Sequence, residues 1–470
     1  MIEFGTGGWR AIIGDTFTRA NVQKLTWAIA QKMLDENVAQ KGFVIGYDRR
    51  FLSEEAAQWA AEVMAAMHIP CSIIHRQSPT PLIMFAVKAL QAQYGMAVTA
   101  SHNPAIYNGI KVFMEGGRDA DEILTAELEN YIYLQGEEAA PAIAFEEALA
   151  SGSVKYIDPM NDYIDSILSA INVEAIRNCQ LSVALDPMYG VSKTALQTIL
   201  MTARCEVSVM HERRDTLFGG RLPAPNEKTL ASLINFVEEN HCDIGIATDG
   251  DADRLGVIDN HAEFLHPNKI LVLLYYYLIK FKGWRGSAVR NIATTHLLDK
   301  IAASFGEECY EVPVGFKHVS GKMATTGAII GGESSGGLTV RGHIQGKDGI
   351  YAASLLIEMI AVTKRSLCQI WQEIKDEYGS FEMSESDYKF SHTKKEEIYK
   401  CLMVDKLLPQ FQWEIDHVSY MDGCKVYFKN GGWIIARFSG TEPLLRIFCE
   451  MDTMEKANAT AACLQTFLGL

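Results

Sequence analysis

Ala97-Val98-Thr99-Ala100-Ser101-His102-Asn103-Pro104 joins an apolar run to a polar turn. The run ending at Val98 reads as a strand, and the Thr, Ser, His, Asn and Pro that follow read as a turn at its C-terminal end. In an open α/β sheet, ligands bind in the crevice beyond the carboxyl ends of the strands. Ser101, flanked by His102 and Asn103, is therefore a candidate nucleophile on a loop. A capping turn, with Ser101 or Asn103 bonded to the local backbone, fits the same residues equally well.

Working outward, the pattern of apolar strand, polar turn and helix recurs. Phe43-Val44-Ile45-Gly46-Tyr47 runs into Asp48-Arg49-Arg50, and a helix N-capped by Ser53 follows, with Ala56, Trp59, Ala60, Val63, Met64 and Met67 on one face. The same order returns at residues 181–200 and 287–304. The repeat is one of topology, not identity, and it predicts three related α/β units. The tail differs, since Cys424–Phe428 and Trp433–Phe438 read as strands around an Asn430-Gly431-Gly432 turn, which suggests a small α+β unit. Shifts in composition place the units at 1–145, 146–258, 259–382 and 383–470.

The chain has 470 residues, enough for three or four domains of roughly 100 to 150 residues each. Its net charge of −15 argues against a nucleic-acid partner, which would need a basic face. The longest apolar run, residues 270–279, is about half of the ~20 needed to span a bilayer and reads as a buried helix, so no membrane partner is expected. Residues 1–5 have no basic, then apolar, leader pattern, and a cytoplasmic location is the expectation. The ten cysteines show no metal-like spacing and are expected to be reduced thiols, mostly in the core.

Four further stretches bear on chemistry. Phe4-Gly5-Thr6-Gly7-Gly8-Trp9-Arg10 could approach an anion through its backbone and Arg10, or be a plain glycine turn. Asp249-Gly250-Asp251-Ala252-Asp253-Arg254 follows a strand, and in an extended segment its carboxylates at i, i+2 and i+4 point the same way. Two carboxylates about 4 Å apart repel by about 4 kcal/mol at an effective dielectric near ~20, and a hard dication such as Mg²⁺ removes that cost. A calcium EF-hand does not fit, because Arg254 stands where that loop needs Gly and Asn260 where it needs Glu. Glu333 and Ser335, in Gly331-Gly332-Glu333-Ser334-Ser335-Gly336-Gly337, could offer an acceptor and a hydroxyl to one sugar. Arg437, Ser439, Gly440 and Thr441, where the chain leaves a strand and enters a turn, form a candidate phosphate nest.

In this order the Thr99–Pro104, Asp249–Arg254, Gly332–Gly336 and Arg437–Pro443 loops resemble the phosphoserine, metal, sugar and phosphate loops of the α-D-phosphohexomutase superfamily, and within it the phosphoglucomutase/phosphomannomutase branch. Phe4–Arg10, Tyr107–Lys111 and Lys347-Asp348-Gly349 match as well. The resemblance implies four domains around a central cleft, three of them sharing an α/β fold and the last α+β. It implies that Ser101 becomes a phosphoserine and that Asp249, Asp251 and Asp253 hold Mg²⁺ with an oxygen of that phosphate. The implied reaction interconverts hexose 1-phosphate and hexose 6-phosphate, of glucose or mannose, through a hexose 1,6-bisphosphate. Arg10 and Lys111 would spread charge on the transferring group, Arg254 would orient the donor, and His102 or Lys111, with Lys111 favoured, would handle the hydroxyl proton.

Glu333 and Ser335 would grip sugar hydroxyls, Arg437, Ser439, Gly440 and Thr441 would hold the non-reacting phosphate, and the last domain would move on a hinge near residues 380–393. Many bacterial members carry a His where this chain has Gly337. Lys317 and His318, in a Gly-Phe-Lys-His stretch similar to the family's specificity loop, would compensate. A phosphoglucosamine or phosphopentose mutase, or a serine-dependent sugar phosphatase, would use the same carrier and metal.

Overall fold

A computed structural model describes residues 2–5, 7–438 and 444–470, with the His392 side chain left aside. Among the described residues there are four sheets, of seven, five, four and five strands. In the first, Cys71–Ile74, Phe43–Tyr47 and Tyr94–Val98 run parallel, then Tyr107–Met114 returns antiparallel beside Tyr94–Val98. The second repeats this plan, with Glu206–Val209, Ser182–Asp186 and Ile244–Thr248 parallel and Leu255–Ile258 antiparallel. So does the third, with Cys309–Val312, Ala288–Asn291 and Ile330–Gly332 parallel and Leu338–Val340 antiparallel. The fourth sheet is antiparallel throughout. Three related α/β units and a C-terminal α+β unit are thus present.

The repeat fixes where chemistry can sit. Ser101, the Asp249–Asp253 triplet and Glu333 each lie in the link between the last parallel strand of a unit and its antiparallel return. The return strand turns the chain back at the carboxyl edge of the sheet, so the link stays at the crevice instead of leading into a helix. In the fourth sheet the antiparallel partners Trp433–Phe438 and Leu444–Met451 flank residues 439–443, which lie outside the described residues.

The first sheet takes in Val154–Ile157, which pairs parallel with Cys71–Ile74 beyond the expected boundary at 145. Phe264–Leu265 likewise pairs with Leu255–Ile258 beyond 258. The second and third units share one hydrophobic core, into which the helices Pro267–Tyr276 and Gly349–Thr363 are sunk; every residue of Gly349–Ala361 is buried. The apolar run at 270–279 is buried there, and among the described residues no helix is long and apolar enough to cross a membrane. All ten thiols are free.

The third and fourth units meet at Ile292, Ala293, Trp433 and Ile435. Beside this apolar contact, the fully buried Lys425 Nζ donates to Ile292 O and Glu311 Oε2, each at 2.7 Å, and lies over the Trp433 ring. Arg290 also donates to Glu311, at 2.5 Å, as does the Tyr427 hydroxyl. Glu450 accepts from the His296 amide and from Trp433 Nε1, both at 2.9 Å.

Candidate active site

The serine loop is pinned from its first residue. Thr99 Oγ1 donates to Asp48 Oδ2 at 2.6 Å and accepts from the Ser101 amide at 2.9 Å. Ser101 is held at φ 51°, a left-handed conformation sparsely populated by serine. Its Oγ donates to Asp249 Oδ2 of the second unit at 2.6 Å, and His102 Nδ1 is 3.4 Å from the same Oγ. Asn103 Oδ1 accepts from Arg10 Nη1 at 2.6 Å. The Ser101 hydroxyl is thus turned toward another unit's carboxylate instead of capping its own backbone.

Behind the loop lies Arg50, fully buried. Its Nη2 donates to the carbonyls of Ser101 and Asn103 at 2.7 and 2.6 Å, and its Nη1 to those of Pro104 and Tyr107 at 2.9 and 3.0 Å. Asp48 Oδ2 is 3.4 Å from Nε, and Phe218 of the second unit covers the guanidinium at 4.8 Å. A planar fork suits this task, because it meets carbonyls on two edges at once.

The carboxylate triplet converges, but not as an extended segment. Residues 249–253 form a turn with Ala252 at φ 63°, and the Arg254 amide donates back to Asp249 Oδ1 at 3.1 Å. Asp249, Asp251 and Asp253 are all buried, and one oxygen from each lies within 4.8 Å of the others. Lys111 Nζ donates to Asp251 Oδ2 and Asp253 Oδ2, each at 2.6 Å; Lys347 Nζ is 2.8 Å from Asp253 Oδ2; and Thr80 Oγ1 donates to Asp251 Oδ2 at 2.6 Å.

Electrostatics separate the three acids. Burial, with the charges of Asp251 and Asp253, pushes Asp249 well above the usual carboxylate range. Burial also opposes ionisation of Asp253, but Lys111, Lys347 and Arg254 outweigh it and hold that carboxyl well below the range. Burial pushes Lys111 down, and Asp251 and Asp253 more than restore its charge. Asp251 Oδ1 and Asp253 Oδ1 are buried without a hydrogen-bond partner. Orphaned carboxylate oxygens in an all-oxygen cluster are what a hard dication would satisfy, so the residues present fit Mg²⁺.

The third unit's loop is zipped to the end of this turn. The Leu255 amide donates to Gly336 O at 3.3 Å, and Arg254 and Gly337 form a bridge. Glu333 is buried, and its Oε1 accepts from Asn291 Nδ2 at 3.1 Å and from the Gly315 amide at 3.0 Å, whereas Ser335 is exposed. Lys317 Nζ and His318 Nε2 face Glu122 Oε1 of the first unit, at 3.0 and 3.6 Å. In the fourth unit, Arg437 Nε donates to Asp422 Oδ2 at 2.9 Å.

Four phosphoglucomutase/phosphomannomutase family models match the chain in sequence. They are the α/β/α domains I, II and III over residues 1–138, 161–262 and 266–378, and the C-terminal domain over 413–464. A Thermococcus kodakarensis phosphoglucomutase/phosphomannomutase is 29% identical over 97% of this chain and 95% of its own length. A protein of Pyrococcus furiosus named a probable phosphoglucosamine mutase is 30% identical over 97% and 94%. The chain belongs to the phosphoglucomutase/phosphomannomutase family. The open form of parafusin, a Paramecium phosphoglucomutase, shares the fold at a TM-score of 0.81, covering 99% of this chain and 93% of that one at 22% identity.

For this family member, the structure brings Ser101, His102, Arg10, Lys111, Arg254 and the three Asp into one cluster. Glu333 is in the adjoining loop, and Lys317 and His318 are at the rim. Ser439, Gly440 and Thr441 lie outside the described residues. Gly337 leaves room that Lys347 fills; its Cδ is 2.3 Å from where a Cβ would stand. Sequence reasoning passed over Arg50, Thr80, Asn291 and Asp422, and noted Lys347 only as part of a matching triplet.

Proposed function

We propose that the protein is a phosphohexomutase that interconverts hexose 1-phosphate and hexose 6-phosphate, of glucose or mannose, through a phosphoserine at Ser101 and a hexose 1,6-bisphosphate. The observation that carries this reading is the Ser101 hydroxyl seated 2.6 Å from Asp249, within a carboxylate triplet that two lysines face. Mg²⁺ held by Asp249, Asp251 and Asp253 would neutralise charge on the phosphoryl group.

In the first transfer, the bond between phosphorus and Ser101 Oγ breaks as a sugar hydroxyl oxygen bonds to phosphorus. The sugar hydroxyl's proton leaves to a base and is handed on to the serine oxygen, whose restored O–H then donates to Asp249. The candidate bases are Lys111, whose Nζ donates to Asp251 and Asp253, and His102, whose Nδ1 is 3.4 Å from Ser101 Oγ. The second transfer runs the same chemistry in reverse from the other end of the turned bisphosphate. Glu333 and Ser335 would grip sugar hydroxyls and Arg437 the idle phosphate, with Lys317 and His318 released from Glu122 as substrate enters.

The phosphoglucosamine mutase name of the Pyrococcus relative favours an amino sugar as the alternative substrate. Intact mass before and after exposure to glucose 1,6-bisphosphate, with turnover of glucose, mannose, glucosamine and ribose 1-phosphates, tests the reading. A chain never phosphorylated at Ser101, or one that releases inorganic phosphate without isomerised sugar, contradicts it. Turnover of glucosamine or ribose 1-phosphate alone replaces the first-named substrates.

A further inference from the structure

The successive amides of Val314 and Gly315 go to two different acids, one in the fourth unit and one in the third. The Val314 amide donates to Asp422 Oδ2 at 2.9 Å, and the same oxygen accepts from Arg437 Nε at 2.9 Å. The Gly315 amide donates to Glu333 Oε1 at 3.0 Å. Asp422 and Arg437 belong to the fourth unit; Val314, Gly315 and Glu333 belong to the third. Asp422 is set beside Arg437 by main chain. Gly423, at φ 96°, lies so close to Trp433–Phe438 that a Cβ there would meet Ala436 O at 2.5 Å. Both side chains are sheltered, with 14% of Arg437 and 23% of Asp422 exposed.

We propose that Asp422 is a positioning residue that aims the Arg437 guanidinium at the substrate's idle phosphate and keeps it in register with Glu333 at the sugar end. A carboxylate on Nε stops the planar fork from swinging and leaves an oxyanion to the two Nη groups. Because the same oxygen holds the Val314 amide, Arg437 is aimed only while the fourth unit is docked on the third. The next amide along fixes Glu333, so one peptide spaces the phosphate grip from the sugar grip. Charge alone predicts the opposite effect, since an acid beside Arg437 weakens its pull on a phosphate dianion. The sign of the effect therefore separates aiming from simple charge.

This inference rests on the phosphohexomutase reading, and its test keeps the two apart. In the full chain, Asp422→Asn, Asp422→Glu, Arg437→Ala and the Asp422→Asn/Arg437→Ala double variant are compared by steady-state turnover of glucose 1-phosphate. Calorimetric binding of glucose 6-phosphate gives a readout that needs no turnover. Asp422→Asn is expected to raise KM and Kd about tenfold, as for coupled groups in one network, with the phosphoserine content and melting temperature unchanged. Asp422→Glu, which keeps the charge, is expected to fall between it and wild type, and it serves as the variant of record if the Asn form does not fold. The double variant should bind no more weakly than Arg437→Ala alone. Unchanged or tighter binding by Asp422→Asn, or multiplied losses in the double variant, overturns the proposal. Wild type that binds glucose 6-phosphate without isomerising it defeats the functional reading but leaves the binding comparison valid.

Discussion

Arg50→Lys is a sharp perturbation of the serine loop, because it keeps the charge opposite Asp48 and removes the fork. The guanidinium donates to four carbonyls, at 2.6 to 3.0 Å, and is fully buried. A lysine offers three donors from one point and cannot meet carbonyls on two edges of a plane. One or two carbonyls of residues 101–107 would then stay buried without a partner, at about 1–3 kcal/mol each. A loss of about 1–6 kcal/mol in the first unit follows, for one or two such groups. The kinetic cost is the larger effect, since a serine loop free to shift by about 1 Å is expected to lower kcat by ~100-fold. Calorimetric melting gives the first quantity. Turnover of the fully phosphorylated enzyme, normalised by intact mass, gives the second. If Arg50→Lys melts earlier yet retains kcat within about threefold of wild type, the clamp is structural only, and the link from fork to serine geometry is refuted.

Three other outcomes are expected. Thr80→Val removes the hydroxyl that orients Asp251 Oδ2, and the Mg²⁺ concentration for half-maximal turnover should rise by about tenfold or more, as for other outer partners of metal ligands; an unchanged Mg²⁺ titration would count against the proposed metal site. Glu311→Gln leaves Lys425 and Arg290 facing each other without their shared acid, so the joint of the third and fourth units should weaken by about 3 kcal/mol, read as earlier melting of the C-terminal transition. Lys425 itself is held down to about 7, by burial first and then by Arg290, which together outweigh Glu311 and Glu450. Above that value the unfolded chain, with an ordinary lysine, binds the extra proton. The stability of this joint should therefore rise with pH from about 7 toward about 10. Hydrogen exchange in Cys424–Phe428 should slow, after correction for intrinsic rates, in wild type but not in Lys425→Met.

The loops were readable in the sequence because each is a local event, an apolar strand running into a polar turn. The repeat was readable because it is spaced along the chain. What was missed involves partners that meet only in space. Arg50 follows a strand and looks like a solvated charge until the chain from Ser101 to Tyr107 wraps over it. The pair of arginines after Asp48, next to a wholly buried strand, was the available signal. Ser53 looks like an N-cap, but Leu52 precedes the helix at φ 62° and the Ser53 hydroxyl donates to Asp48 Oδ1 at 2.8 Å. Asp48 gathers Thr99, Ser53 and the Arg50 amide, and that demand overrides local capping. The Asp triplet was legible as a cluster, but its shape was not, since the positive φ at Ala252 has no sequence signature in an alanine. Val154–Ile157 fell outside the expected first unit because its pairing with Cys71–Ile74 is set by a strand some eighty residues earlier.

Gly250 lies against the Ser101 carbonyl, with that oxygen 2.8 Å from where a Cβ would sit, and the Thr80 amide donates to Asp251 O at 2.9 Å. The proposed carrier and its metal turn therefore touch through main chain, where there are no rotamers to exchange and no side chain to lengthen or trim. Such a seam cannot be adjusted one substitution at a time. A change to this seam must therefore move backbone, whereas a substitution at Lys317, His318 or Ser335 changes a side chain only.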